Sequence, residues 1–174
     1  MRVYIIRAAC IAMLLGTVMS CGYRFTGSDS GRFSPNQSIW VDFIRVEING
    51  PSSLQTVLRR ALLDEFHALR GITQSGSSQA ADMRIAGKVM SYQLRPVSFN
   101  YLDKTNKYRL SVEVELEVMP AGGTGGGRAY VMSAFQDFPA GSDLALQRSA
   151  EEAALAAVSQ KIAQRFIVSM EQDY

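Results

Sequence analysis

Catalysis needs nucleophiles, bases or metal ligands that can converge, and the 174 residues of this chain supply few. His67 is the only histidine, and the only cysteines are Cys10 and Cys21. A zinc site, a Ser-His-Asp triad or a Cys-His pair cannot be assembled from that set. On a helical wheel His67 lies beside Arg60 and away from the apolar stripe, the place of an exposed residue. Carboxylates do cluster at Glu113, Glu115 and Glu117. Their period of two puts them on the outward face of one strand, whereas paired glycosidase acids need burial and opposition across a cleft. The run Gly122-Gly123-Thr124-Gly125-Gly126-Gly127 lacks the Lys and Ser or Thr that would follow in a phosphate-binding loop, and it predicts a flexible hairpin. The expectation is a protein that is not an enzyme and holds no metal or cofactor.

Cys21 carries chemistry of a different kind. Arg2 and Arg7 precede an apolar run from Ala8 to Met19, closed by Ser20, which has the form of a secretory signal. That run is too short for the ~20 apolar residues a membrane-crossing helix needs. Val18-Met19-Ser20-Cys21 resembles a bacterial lipobox, in which the cysteine thiol is acylated and becomes the new N-terminus. Several acyl chains, at ~0.8 kcal/mol per buried methylene, would make attachment lasting. Gly22 in place of Asp after the cysteine resembles the pattern sorted to the outer membrane, so the expected location is its periplasmic face. The alternative is an ordinary signal cleaved near Ser20 that leaves a free thiol.

Binding surfaces are the other candidates. Arg84 and Lys88 point the same way along one predicted strand, Arg109 heads the polar face of the next, and Lys104 and Lys107 lie between them beside Tyr92, Phe99, Tyr101 and Tyr108. Cations mixed with rings suit an anionic, partly apolar ligand, the cations pairing with phosphates and the rings covering acyl or sugar groups. A solvated sheet edge is the plain alternative.

The elements that would position these residues follow from periodicity and punctuation. At 47% apolar and 20% charged residues the composition is that of one globular domain. The formal charge of +2 falls to 16 basic against 16 acidic residues once Arg2 and Arg7 leave with the leader, so charge gives no argument for a nucleic-acid partner. Residues 1–20 are expected to be a signal peptide, 21–38 a Gly/Ser-rich lipidated tether and 39–174 a single domain. Residues 39–46 alternate as a first strand. Asn49-Gly50-Pro51 breaks the chain before a helix capped by Ser52 or Ser53 and stopped at Gly71. Its stripe is Leu54, Val57, Leu58, Ala61, Leu62, Ala68 and Leu69 with Phe66 at the edge, and Glu65 and Leu63 are misfits.

Gly71 to Ala80 reads as a polar connection. Met83, Ile85, Gly87 and Val89 form a second strand, which Arg95-Pro96 ends or displaces to an edge. Leu110 to Val118 alternates with Arg109 to Glu117 as a half-buried third strand, and Ala129 to Phe138 makes a fourth, the three forming a meander. Ser142 can cap a final helix to about Met170. One of its stripes is Leu144, Leu155, Val158, Ile162 and Phe166; the other is Leu146, Ala150, Ala153 and Ala157. The second serves either as good helix formers in water or as a small-residue face for a close neighbour. The order β-α-β-β-β-α implies an α+β two-layer sandwich, a mixed four-stranded sheet with both helices on one face.

Beyond these elements, Cys21-Gly22-Tyr23-Arg24-Phe25, the helix ending in Arg70-Gly71, the Ala81-Asp82 entry to the second strand and Tyr108 opening the long strand form a set. With Ser133-Ala134-Phe135-Gln136-Asp137-Phe138-Pro139 and the Ala-rich last helix, the chain resembles the LptE-type outer-membrane lipoproteins of lipopolysaccharide assembly. The resemblance implies a protein anchored in the outer membrane by its N-terminal lipid. It would sit in the lumen of the large LptD β-barrel, assist that barrel's assembly and contact lipopolysaccharide on its way to the outer leaflet. A basic residue that the family places near the loop after the second strand aligns with Tyr101, with Lys104 and Lys107 as the nearest cations. A second basic position corresponds to Arg148. A stand-alone periplasmic lipid- or glycan-binding lipoprotein is the alternative, and an envelope hydrolase a more distant one.

Overall fold

The computed structural model describes residues 37–44, 50–120 and 127–172, all within one compact unit that starts at Arg32. Cys21, the leader, nearly all of the tether and most of the glycine run lie outside the described residues. Five strands and two helices follow one another: β1 (Ser38–Ile44), α1 (Leu54–Arg70), β2 (Thr73–Gln74), β3 (Met83–Phe99), β4 (Thr105–Pro120), β5 (Arg128–Pro139) and α2 (Leu144–Gln172). The α+β class, the mixed sheet and the β3-β4-β5 meander are as expected. The strand count is not, because the sheet has five strands in the order β2-β1-β3-β4-β5. The extra strand is the two-residue β2, inside what reads as a polar connection. It lies parallel to β1 through Ser38 with Thr73 and Ile39 with Gln74, and a pair that short leaves no hydrophobic period to detect.

Crossing through α1 brings β3 parallel to β1, from Ile39 with Met83 to Ile44 with Lys88. Within that pairing Phe43 lies opposite Gly87, and its ring covers the space a Cβ at 87 would need. The glycine is therefore a packing site for an aromatic on the next strand. Both helices cover one face. Ile39, Val41, Ile85, Val89, the even-numbered residues Leu110 to Val118, and Tyr130, Ala134 and Phe138 point toward them. Phe166 of α2 takes Phe66 and Tyr130 edge-on, with ring centroids 6.2 and 5.5 Å apart.

Wheel positions alone misplace several side chains. In α1 the buried line is Leu54, Leu58, Leu62 and Phe66, so Phe66 lies at the centre of the stripe and Ala68 and Leu69 lie outside it. The helix meets α2 along this i, i+4 ridge, where Phe66 packs on Phe166. In α2 the buried set runs from Ala154 to Met170, while Leu144 and Leu146 are exposed. The alanine stripe faces outward at Ala153, is half-buried at Ala157 and packs on the core at Ala150.

The caps also differ from expectation. Ser53 occupies the N-cap of α1 but makes no side-chain cap bond, whereas Gly71 ends the helix in the left-handed region at φ 64°, its N–H donating to His67 O. At α2 the cap is Asp143, one residue past the expected Ser142, with Oδ1 accepting from Leu146 N at 2.9 Å. No helix among the described residues is long and apolar enough to cross a membrane.

Candidate functional site

The site begins where the sheet narrows. β1 accompanies β3 only as far as Lys88, yet β3 and β4 remain paired to Phe99 and Thr105, so among the described residues the far half of this hairpin has no strand on its β3 side. Pro96 is tolerated on such an edge, and β3 runs through it instead of ending at Arg95. A bulge between Val89 and Ser91 inserts Met90 and changes which parity faces the helices, odd before it and even after it. Tyr92 is the last clasp to the helical layer, its hydroxyl donating to Glu151 on α2. Burial first, and then this bond to a carboxylate, push the Tyr92 phenol above its ordinary pKa. Past Tyr92 the β3 residues are mostly exposed, while Leu110 and the half-buried Tyr108 of β4 still face the core.

Its tip is tightly built. Asn100 Oδ1 accepts from Leu102 N at 2.9 Å and Lys104 N at 3.0 Å, Asn100 N donates to Lys104 O at 2.8 Å, and Asp103 adopts the left-handed region at φ 55°. That turn holds Tyr101 out at 92% exposure and Leu102 at 58%, beside Phe99 at 58%. Rings and an aliphatic side chain so presented have already lost the loop entropy that binding would otherwise cost.

Cations border the apolar tip. Arg95 and Arg109 are cross-strand partners, and the Arg109 guanidinium forks onto Asp137, Nε to Oδ1 at 2.6 Å and Nη2 to Oδ2 at 2.9 Å. The guanidinium also lies 4.3 Å over the Phe135 ring. Hydrogen bonding to Arg109 holds the Asp137 carboxyl below the usual carboxylate range, with Lys107 and Lys161 adding to the effect, and the same pair raises Arg109. Lys104 is exposed at the tip and Lys107 faces the same side as Arg109.

The seven residues expected to bind ligand therefore divide. Tyr101, Lys104, Lys107 and Arg109 gather on the far hairpin. Arg84 and Lys88 share the open face of the sheet but sit opposite Met119 and Glu115, and the eight residue steps of β4 from Lys107 to Glu115 span on the order of 27 Å. Glu113 lies on the open face between the two groups, whereas Glu115 pairs with Lys88 and Glu117 with Ala86, beside the second group. Arg148 is elsewhere, in a cleft of about 420 Å³ with Gly50, Pro51, Tyr92, Glu151 and Glu152. Sequence reasoning missed Arg95 and Asp137. Arg95 reads as a strand terminator beside proline, and only cross-strand register brings it against Arg109. His67 is exposed on α1.

A family model described as LptE, lipopolysaccharide-assembly, matches residues 37–170. The chain belongs to the LptE family. The match begins one residue before β1 and reaches the last turns of α2, so membership rests on the whole described fold rather than on one motif. No curated protein sequence matches the chain. Among solved structures, the rare lipoprotein B of Shewanella oneidensis aligns at 16% identity and TM-score 0.53, covering 79% of this chain and 96% of that one. An uncharacterized lipoprotein B of Nitrosomonas europaea aligns at 12% identity and TM-score 0.54, covering 86% and 90%. At such identities the likeness is one of fold. In the LptE fold of this chain, the tip of the long β3–β4 hairpin is where Phe99, Tyr101 and Leu102 are presented outward.

Proposed function

We propose that this protein is a non-enzymatic outer-membrane lipoprotein, acylated at Cys21, that seats in the lumen of an LptD-type β-barrel, assists its assembly and helps deliver lipopolysaccharide to the outer leaflet. The observation that carries the proposal is LptE family membership over residues 37–170. The open face of the sheet supports it, because alternating Glu, Lys, Arg and Ser side chains suit the water-lined interior of a large barrel. Shape supports it too. Sixteen residues separate Met83, beside the start of β1, from Phe99, on the order of 50 Å, longer than the ~25 Å apolar band of a barrel. A lipid upstream of β1 would hold one end of the sheet, with the hairpin tip at the other.

Lipopolysaccharide is the ligand proposed for that tip. Arg95, Lys104 and Lys107 would pair with phosphates while Phe99, Tyr101 and Leu102 cover acyl chains. Arg109, committed to Asp137, acts by fixing the local geometry. The decisive experiment is purification of the full-length chain in detergent. A stable one-to-one complex with a large β-barrel, and a barrel that fails to mature when the chain is depleted, are the expected results. Consistent recovery as a monomer with normal barrel maturation would refute the proposal and favour a stand-alone binding lipoprotein.

A further inference from the structure

Midway along the open face of the sheet, three neighbouring strands carry short polar side chains side by side. Pairing sets Ser91 opposite Glu113 and Glu113 opposite Ser133, and in the next row Gln93 opposite Ser111 and Ser111 opposite Phe135. The bulge at Met90 turns Ser91 and Gln93 to this face, since β3 presents even-numbered residues there before it and odd-numbered ones after it. Serine leaves unfilled the space that the β-branched and aromatic residues usual in strands would take. A groove of about 350 Å³ results, lined by Ser91, Gln93, Ser111, Glu113, Ser133 and Phe135.

The lining is held in place. Arg165 Nη1 donates to Ser133 O at 2.6 Å and Lys161 Nζ to Phe135 O at 3.2 Å, which pins this stretch of β5 to α2. Phe135, 51% exposed, lies under the Arg109 guanidinium that Asp137 fixes. Gln93 Nε2 donates to Ser91 Oγ at 3.1 Å, whereas the side chains of Ser111, Glu113 and Ser133 make no hydrogen bond among the described residues. These groups suit a neutral polyol better than an ion. The serine hydroxyls and the Gln93 amide both donate and accept, and the Glu113 carboxylate accepts, a set that matches the hydroxyls of a sugar. The exposed part of the Phe135 ring can meet a sugar's apolar C–H face. Glu113 disfavours a phosphate in the groove, and the ring that could hold an ammonium already carries Arg109.

We propose that this groove binds an uncharged pyranose sugar and, resting on the lipopolysaccharide reading of the hairpin tip, that the sugar belongs to the oligosaccharide of that glycolipid. Along β4, two residue steps, ~7 Å, separate Arg109 from Ser111, and four, ~13 Å, separate Lys107 from it. Acyl chains at the tip, phosphates at Arg95, Lys104 and Lys107, and sugar in the groove then follow one another down the hairpin.

The test uses the full chain in detergent and three probes: lipopolysaccharide with its core oligosaccharide, lipid A without it, and the oligosaccharide released from lipid. The variant Ser111→Val/Ser133→Val fills the groove with good strand formers, so its melting curve should hold. Wild type should bind whole lipopolysaccharide at least ~10-fold more tightly than lipid A, equivalent to ~1.4 kcal/mol, and the variant should lose that difference while keeping its lipid A affinity. The released oligosaccharide should shift the amide resonances of Ser111, Glu113 and Ser133 in wild type and not in the variant. A second variant, Glu113→Ala, alters only an exposed side chain and should weaken oligosaccharide binding in the same way. No shift from the oligosaccharide, or equal shifts and affinities in wild type and variants, would overturn the proposal. Wild type that binds the oligosaccharide but no lipid A would support the groove and refute the tip reading alone.

Discussion

Replacing Gly87 by alanine should destabilise the protein, against the usual benefit of removing a strand glycine. Glycine in a strand costs ~0.5–1 kcal/mol relative to alanine through backbone entropy, so the substitution starts with that gain. The new Cβ, however, would stand 2.6 Å from Phe43 Cδ1 and 2.7 Å from Cζ, about 1 Å inside normal contact. Phe43 is buried, and its cross-strand position opposite Gly87 leaves the ring no free direction toward the sheet. Forcing it aside incurs an overpacking cost of ~1–3 kcal/mol. The balance is a net loss of about 1–2 kcal/mol, or ~3–8 °C in Tm for a domain of this size. Urea unfolding followed by circular dichroism would measure it. The decisive control is Phe43→Leu, whose smaller side chain leaves room. In that background Gly87→Ala should be neutral or stabilising, a coupling of ~1–2 kcal/mol. Equal cost in both backgrounds, or no cost in the wild type, would refute the account of Gly87 as the seat of Phe43.

Ser159 is fully buried on α2, and its hydroxyl has no partner among the described residues. Ser159→Ala should therefore stabilise by ~1 kcal/mol, at the low end of what an unpaired buried hydroxyl costs, and a lower urea midpoint would contradict it. The Tyr92 phenol stays protonated in the folded state while the unfolded chain ionises above about pH 10, so stability should fall as pH rises past that value. Tyr92→Phe should flatten this alkaline limb in melts from pH 9 to 11. Asp82 Oδ2 accepts from Ser38 N and Oγ at 2.8 and 2.9 Å, which lowers its pKa. Its contribution is intact above the ordinary carboxylate pKa of ~3.9 and is lost as pH falls through the lower folded value. Asp82→Asn should accordingly weaken the acid dependence of Tm. Reversing Lys104 and Lys107 to Glu should reduce lipopolysaccharide binding at least ~10-fold, about 1 kcal/mol per cation, and unchanged binding in a pull-down would remove the hairpin from the site.

How much was legible before the fold was known depended on whether a feature was periodic. Leu110 to Val118 alternates without interruption because β4 is flanked on both sides and half buried along most of its length. β3 is half legible for the opposite reason. Its early residues alternate, but the bulge at Met90 reverses the parity, and Pro96 looks like an end although β3 continues through it paired with β4. For the candidate site, Tyr101, Lys104, Lys107 and Arg109 were close enough in sequence to be seen as a group. Arg95 and Asp137 were not, because their distance from Arg109 is set by pairing across strands.

Composition and local pattern were sufficient for the α+β class, the two amphipathic helices, the meander and the scarcity of catalytic side chains. Each depends on residue type or on spacing within one segment. Only the tertiary structure determined that Gly87 exists to seat Phe43, that Arg84 and Lys88 lie apart from the hairpin cations, and that Lys161 and Arg165 reach the edge of β5. Those relations join residues distant in the chain, and their energies come from register and packing, which a linear pattern does not encode.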